Sequence, residues 1–228
     1  MSKKVKVKNH QVTRSLLKEW VGKNAKGKEG IFSFDLVSQK KNFSQGKAAS
    51  FAIVEHLYVP IQEDGDRNDD LENEFSIDEA ALGILLNIAN ATGPVKLKER
   101  FAKKAIRSCI SLGYRSAYFA AMTMQRFSAA GENRADLHRR AIENMKNTLE
   151  NRYATFQNWA FSVVRGLPSD LIINDQPFRD WTMHKSAENF ITMPLTPRAI
   201  LLGKPSNRGI FSLEAVMDRS SKRWPVCS

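Results

Sequence analysis

The chain has 228 residues, 42% hydrophobic and 26% charged, which is enough to bury a core in one domain and too apolar for wholesale disorder. Thirty-five Lys and Arg against 24 Asp and Glu leave a net charge of +11 at pH 7. Such an excess concentrates polyanions at the surface, so nucleic acid is the first partner to consider, ahead of an anionic membrane. The two cysteines, Cys109 and Cys227, have no disulfide framework and no metal-ligand spacing, which fits a reducing compartment. The lysine-rich start, Met1 to Lys8, is followed by no apolar stretch of the kind a secretory signal needs. The longest apolar passage, near Ser116 to Met124, falls short of the roughly 20 residues of a membrane span. A cytoplasmic protein without a membrane partner is the expectation.

Taken in chain order, residues 1–8 read as a flexible basic tail. Thr13 is placed to cap a short helix carrying Leu16, Leu17 and Trp20, ending near Gly22. After the turn-forming Lys26-Gly27-Lys28, the alternation from Gly30 to Leu36 predicts a strand. Residues 62–70 are acidic, contain Gly65 and no apolar residue after Gln62, and read as an exposed loop. A helix is expected to open at Ser76, with Asp78 and Glu79 favouring its first turn, and to stop before Gly93-Pro94. Helical periodicity then runs from Leu97 to Phe127, interrupted at Gly113, and from about Arg134 through Leu137, Ile142, Met145, Leu149, Tyr153 and Phe156. Trp159, Phe161 and Val163 are read as extending that last stripe to Gly166-Leu167-Pro168.

Beyond Pro168 the pattern changes. Leu171-Ile172-Ile173 reads as a short buried strand before the turn residues Asn174 to Pro177. Phe190 to Met193 and Ala199 to Leu202 read as further strands. No internal repeat or low-complexity tract is present. The fold class is therefore α+β: a single domain, 1–228, with a helical middle and short strands from the N- and C-terminal segments forming one sheet.

Several local patterns carry a family resemblance. They are Asn9-His10-Gln11-Val12 with Leu16, Leu17 and Trp20; the strand Ile31 to Asp35; Val54 to Tyr58; Leu71-Glu72 followed by Asp78-Glu79; Ile172 to Phe178; and Met193 to Arg198. In this order and spacing they resemble the domain of unknown function 4238 family, found in bacteria and mobile elements. The family's proline just after the histidine is replaced here, with Thr13 in its place. Asn174 and Gln176 stand for its usual serine and asparagine, so Asp175 and Pro177 carry over unchanged. The resemblance implies no settled activity. Its mobile-element setting implies phage–host conflict, with a protein partner in a host or phage complex.

Two chemistries are open at this stage. Asp175 follows an apolar run, where a carboxylate can hold a metal or bond the amides of the next turn. Glu72 and Glu79 are seven positions apart and share a helix face if the helix starts early enough. With Asp175 and His10 they would form an Asp/Glu/His cluster suited to Mg²⁺ or Mn²⁺ and to water attack on a phosphodiester. Asp175, Glu72 and Glu79 would be the metal ligands of such a nuclease or phosphodiesterase. Against it stand the ordinary roles of these residues in caps, turns and solvated surfaces. The second chemistry is phosphate contact by the basic helix carrying Lys96, Lys98, Arg100, Lys103, Lys104 and Arg107, with the N-terminal lysines beside it. No aromatic-rich platform lies next to that helix in sequence. No Walker, dinucleotide or nucleophile-elbow pattern occurs. A basic nucleic-acid-associated binding protein is the leading expectation and the metal-dependent nuclease its alternative; no cofactor is called for unless the nuclease holds.

Overall fold

A computed structural model describes residues 8–10, 12–46, 53–55, 70–95, 97–128, 134–174, 176–183 and 189–217. The basic tail up to Val7, the 62–69 part of the acidic loop, Lys96 and Asp175 lie outside these residues.

The N-terminal part consists of short elements. β1 (Lys8–His10) pairs antiparallel with β5 (Ile53–Glu55). Thr13 caps α1 (Arg14–Leu17), its hydroxyl accepting from the Leu16 amide at 3.1 Å, so one orphan donor of the first turn is satisfied. Leu16 and Leu17 are fully buried. A 3-10 turn at Lys18–Trp20 leads into β2 (Val21–Lys23), β3 (Glu29–Asp35) and β4 (Lys40–Gln45), an antiparallel sheet in that order. Gly27, at φ +73°, closes the β2–β3 turn in a backbone region other residues avoid.

Four helices form the middle: α2 (Asp70–Asn90), α3 (Glu99–Tyr114), α4 (Ala117–Ser128) and α5 (Arg134–Thr155). α2 begins at Asp70 and not at Ser76. Asp70, Glu72 and Glu74 favour a helix N-terminus, and no Gly or Pro interrupts the run to Ser76. Asp78 and Glu79 therefore lie inside the helix, where Asp78 meets Arg107 of α3 and Glu79 meets Arg115, the residue just after α3. Arg107 Nε is 3.1 Å from Asp78 Oδ1. Its two terminal nitrogens donate to the Glu150 carboxylate of α5 at 2.9 and 2.6 Å. Its guanidinium also lies 5.3 Å from the Tyr153 ring centroid. Arg115, 1% exposed, pairs with Glu79.

The Trp159-Phe161-Val163 run is a strand, not the end of a helix. A 3-10 turn at Phe156–Asn158 closes α5, and the apolar residues then recur at every second position, the period of β6 (Trp159–Arg165). With β7 (Arg179–Asp180), β8 (Ile191–Thr196), β9 (Ala199–Pro205) and β10 (Ser212–Met217), it builds a five-stranded sheet of order β10-β6-β9-β8-β7. β10 runs parallel to β6 and the other neighbours are antiparallel. Phe161, Val163, Ile191, Met193, Leu195 and Leu201 are all fully buried, and α2 packs on β6 and β8. Gly203 stands in register with both Phe161 and Ile191, and a Cβ there would come within 2.7 Å of each. Glycine lets these two large side chains meet across the middle strand.

The α+β class and the helical middle flanked by strands hold. The strands do not join in one sheet: among the described residues, the N-terminal and C-terminal strands fall in three separate sheets. The C-terminal sheet draws one of its inner strands, between β10 and β9, from residues 159–165, which the sequence pattern had placed in a helix. Leu171-Ile172-Ile173 forms no strand and is not a buried run, since Ile172 is 88% exposed. The Leu171 amide donates to the Pro197 carbonyl at 2.8 Å, but proline has no N–H to return the bond of a ladder. Buried apolar residues from Val12 to Phe211 nonetheless form one cluster. Among the described residues no helix is long and apolar enough to cross a membrane.

A buried arginine ties sheet to helix. Arg165, at the end of β6, is 5% exposed, and its Nη1 donates to the carbonyls of Ile88 (3.5 Å), Ala91 and Gly93 (3.1 Å). These carbonyls lie at and just past the C-terminus of α2, where helical partners run out and the dipole favours a cation. Arg165→Met keeps most of the side-chain volume but leaves the carbonyls unpaired. It is expected to lower stability by about 1–3 kcal/mol, read as a lower urea midpoint with unchanged slope; a wild-type midpoint would refute the role.

Candidate functional site

Among the described residues, a cleft of about 400 Å³ lies where the α3–α4 junction meets the segment from Gln176 to Trp181. The helix break at Arg115-Ser116 turns Tyr114 and Tyr118 with Phe119 to one wall. Phe178 to Trp181 form the other. Gly113 allows the walls to close, because a Cβ there would lie 2.6 Å from the Phe178 ring. The Tyr114 ring packs edge-on against Phe119 at 5.5 Å, and Trp181 stacks on Phe190 at 5.5 Å and 25°.

Polar groups at the cleft are largely committed to one another. The Tyr114 hydroxyl donates to Asp180 Oδ2 at 2.7 Å. Asp180 Oδ1 accepts from the Thr182 amide at 3.0 Å and its hydroxyl at 2.6 Å, and Arg152 Nε lies 3.7 Å from Oδ2. Burial first, and the bond to Asp180 second, push the Tyr114 phenol well above the usual tyrosine range. At neutral pH it is a proton donor. At the mouth, Gln176 Nε2 reaches the Ser116 hydroxyl at 3.4 Å, while Arg179 donates to Gln176 Oε1 at 3.3 Å. Exposed Tyr118 and Arg179 border the opening. Ring faces with a few hydrogen-bonding groups suit binding of a planar or apolar group.

The residues singled out from sequence fall on different parts of the chain. Glu72 and Glu79 both fall on α2, and seven residues at the helical repeat bring them back to one side. Glu79 is held by Arg115, at the C-cap of α3. His10 is on β1, and Asp175 lies outside the described residues. Among the described residues no group of three or more His, Cys, Asp or Glu could hold a metal. Next to Asp175, Asn174 Oδ1 accepts from the Gln176 amide at 3.1 Å, the local turn that such residues favour, and Phe178 is buried beside Gly113.

The basic helix is divided in use. Arg100, Lys103, Lys104 and Arg107 recur at helical spacing opposite the buried Ala102, Ala105, Ile106 and Cys109. Arg107 is consumed by Asp78 and Glu150, and Lys103 pairs with Glu99 at 2.7 Å. Arg100, Lys104 and Lys98 at the helix N-cap are exposed, and no carboxylate among the described residues pairs with these three. Lys96 is outside the described residues.

Fold and cleft together define a mixed α+β protein with a cleft lined by aromatic side chains. Residues 8–221 match the family model described as protein of unknown function DUF4238, and the chain belongs to that family. No curated protein and no solved structure matches the chain.

Tyr114 and Asp180 escaped sequence reasoning because they are 66 positions apart. The available signal was the aromatic density on either side of them, Tyr118-Phe119 and Phe178 with Trp181. Because the folded state holds the Tyr114 proton more tightly than the unfolded chain does, its contribution to stability is complete below about pH 10 and is lost as pH rises through the tyrosine range. Wild type is therefore expected to lose stability more steeply than Tyr114→Phe as pH rises above about pH 10, and to run parallel to it below. Urea-midpoint profiles still parallel above that pH would show that the phenol is not so held.

Proposed function

We propose that the protein is a nucleic-acid-associated binding protein. The observation that carries this reading is the solvent stripe of α3, where Arg100 and Lys104 stand exposed with no carboxylate partner among the described residues, on a chain with net charge +11. Lys98 extends the stripe at the helix start. Cations on a rigid helix contact phosphates without reading sequence and release counterions as they bind. Arg107 is outside this set, because leaving Asp78 and Glu150 would break a half-buried bidentate pair.

The test is a titration against labelled RNA, single-stranded DNA and duplex DNA at low and physiological salt, with Mn²⁺ and with chelator, read for shift and for cleavage. A salt-sensitive shift without cleavage is expected. Replacing both Arg100 and Lys104 by Gln should weaken binding uniformly across sequences and lower the salt slope by about 2. Metal-dependent cleavage that disappears in Asp175→Ala would replace the binding reading by the nuclease one. Absence of any shift at low salt would refute the proposal and turn the search to protein partners.

A further inference from the structure

The β2–β3–β4 sheet turns its richer apolar face outward. Strand register puts Gly22, Gly30, Phe32, Phe34, Lys41 and Phe43 on one face. The opposite face carries Ile31, 2% exposed, and Val21, which packs against the core. When one face of an antiparallel sheet is anchored on a core, the other is normally polar. Here it carries three phenylalanines, with Phe32 57% and Phe34 53% exposed. The Phe32 and Phe43 rings meet across the strands at 4.9 Å. Each lies over a glycine of the neighbouring strand: a Cβ on Gly22 would be 3.5 Å from the Phe32 ring and one on Gly30 2.5 Å from that of Phe43.

The charge on this face is one-sided. Register gives it Lys41 and no carboxylate, while Lys23 and Lys40 stand across from Glu29 and Asp35 on the other face. Lys26 and Lys28 add two further cations in the first turn. Lys41 stands directly across from Phe34. Asp35 is committed to the β3–β4 turn, where its Oδ1 accepts from the amides of Val37 at 2.9 Å and Ser38 at 3.2 Å.

We propose that this face is a stacking platform for single-stranded nucleic acid, with bases on Phe34 and Phe32 and phosphates at Lys41 and its neighbours. The inference rests on the nucleic-acid reading above and names the form of ligand. Phe32 and Phe34 are two residues apart on one strand, about 7 Å, roughly twice the 3.4 Å rise of stacked bases. A base on each ring requires an unstacked strand, which a single strand reaches readily and a duplex does not. Every base has a π-face, so the platform takes single strands without strong sequence preference. Exposed rings alone would fit a protein partner equally well. Lys41 beside them, on a face with no carboxylate, selects a polyanion.

The experiment uses the full chain and compares three fluorescent probes by anisotropy: a short oligo-dT, an abasic phosphodiester oligomer of equal length and charge, and a duplex. Wild type is expected to prefer oligo-dT over the abasic oligomer by about tenfold. Phe34→Ala should lose that preference while melting like wild type, and Phe34→Trp should retain it. If oligo-dT and the abasic oligomer bind wild type equally, or Phe34→Ala keeps the preference, the platform is refuted while the nucleic-acid reading stands. If wild type binds no probe at low salt, both fall, and the exposed rings belong to a protein interface.

Discussion

Three helices meet at one guanidinium. Arg107 of α3 takes Asp78 from α2 and Glu150 from α5, with the Tyr153 ring beside its plane. Arginine suits this place because its planar fork engages a carboxylate bidentately while another edge serves a second acid. The two acids respond in opposite senses. Burial raises the Asp78 carboxyl above the usual range, and the hydrogen bonds from Arg107 lower that of Glu150. Asp78 thus bears the desolvation cost of joining the helices, while the more exposed Glu150 supplies the better geometry. One position further on α2, Glu79 holds Arg115, itself almost wholly buried. The helical layer beneath the cleft is set by these two pairs, since Arg115 immediately follows Tyr114 on the cleft wall.

The same clamp limits what charge can do elsewhere. Counted from sequence, α3 offers a row of cations to a polyanion. In the fold, the inner part of that row is spent on Glu99, Asp78 and Glu150, and the outer part faces solvent. Net charge therefore overstates the phosphate-binding capacity of the helix. The acids that neutralise it come from α2 and α5 as well as α3, so no inspection of residues 96–107 alone could have separated Arg107 from Arg100.

Periodicity made the helices legible, because α3 and α5 each carry an apolar stripe at helical spacing and a cap such as Thr13 is a local signal. It failed where an apolar run continued while its period changed. Trp159, Phe161 and Val163 already alternate, but they follow Tyr153 and Phe156 so closely that they merge with the helical stripe. Misplacing that strand also hid its parallel partner β10, whose pairing with β6 spans about 50 residues. The cleft was half legible. The family-like segment around Asp175 adjoins residues of the cleft wall; among the described residues the carboxylate that lines the cleft is Asp180, held by Tyr114 and Thr182 and marked by no motif.

The lysines and the phenylalanines of the outer sheet carry unequal information. β4 is an edge strand, and an exposed edge invites pairing with another chain. Lys40 and Lys41 on that edge are a common protection against such pairing, so their presence has a structural explanation that needs no ligand. Cross-strand packing similarly accounts for Phe32 with Phe43, a pair that steadies the hairpin. Neither explanation reaches Phe34. Its cross-strand neighbour is Lys41, more than half its surface meets water, and a polar residue there would satisfy both the strand and its solubility. An exposed ring beside an edge lysine adds to the hazard that the lysine reduces. That this face meets a ligand therefore depends on Phe34, and the charge beside the ring bears only on what kind of ligand it is.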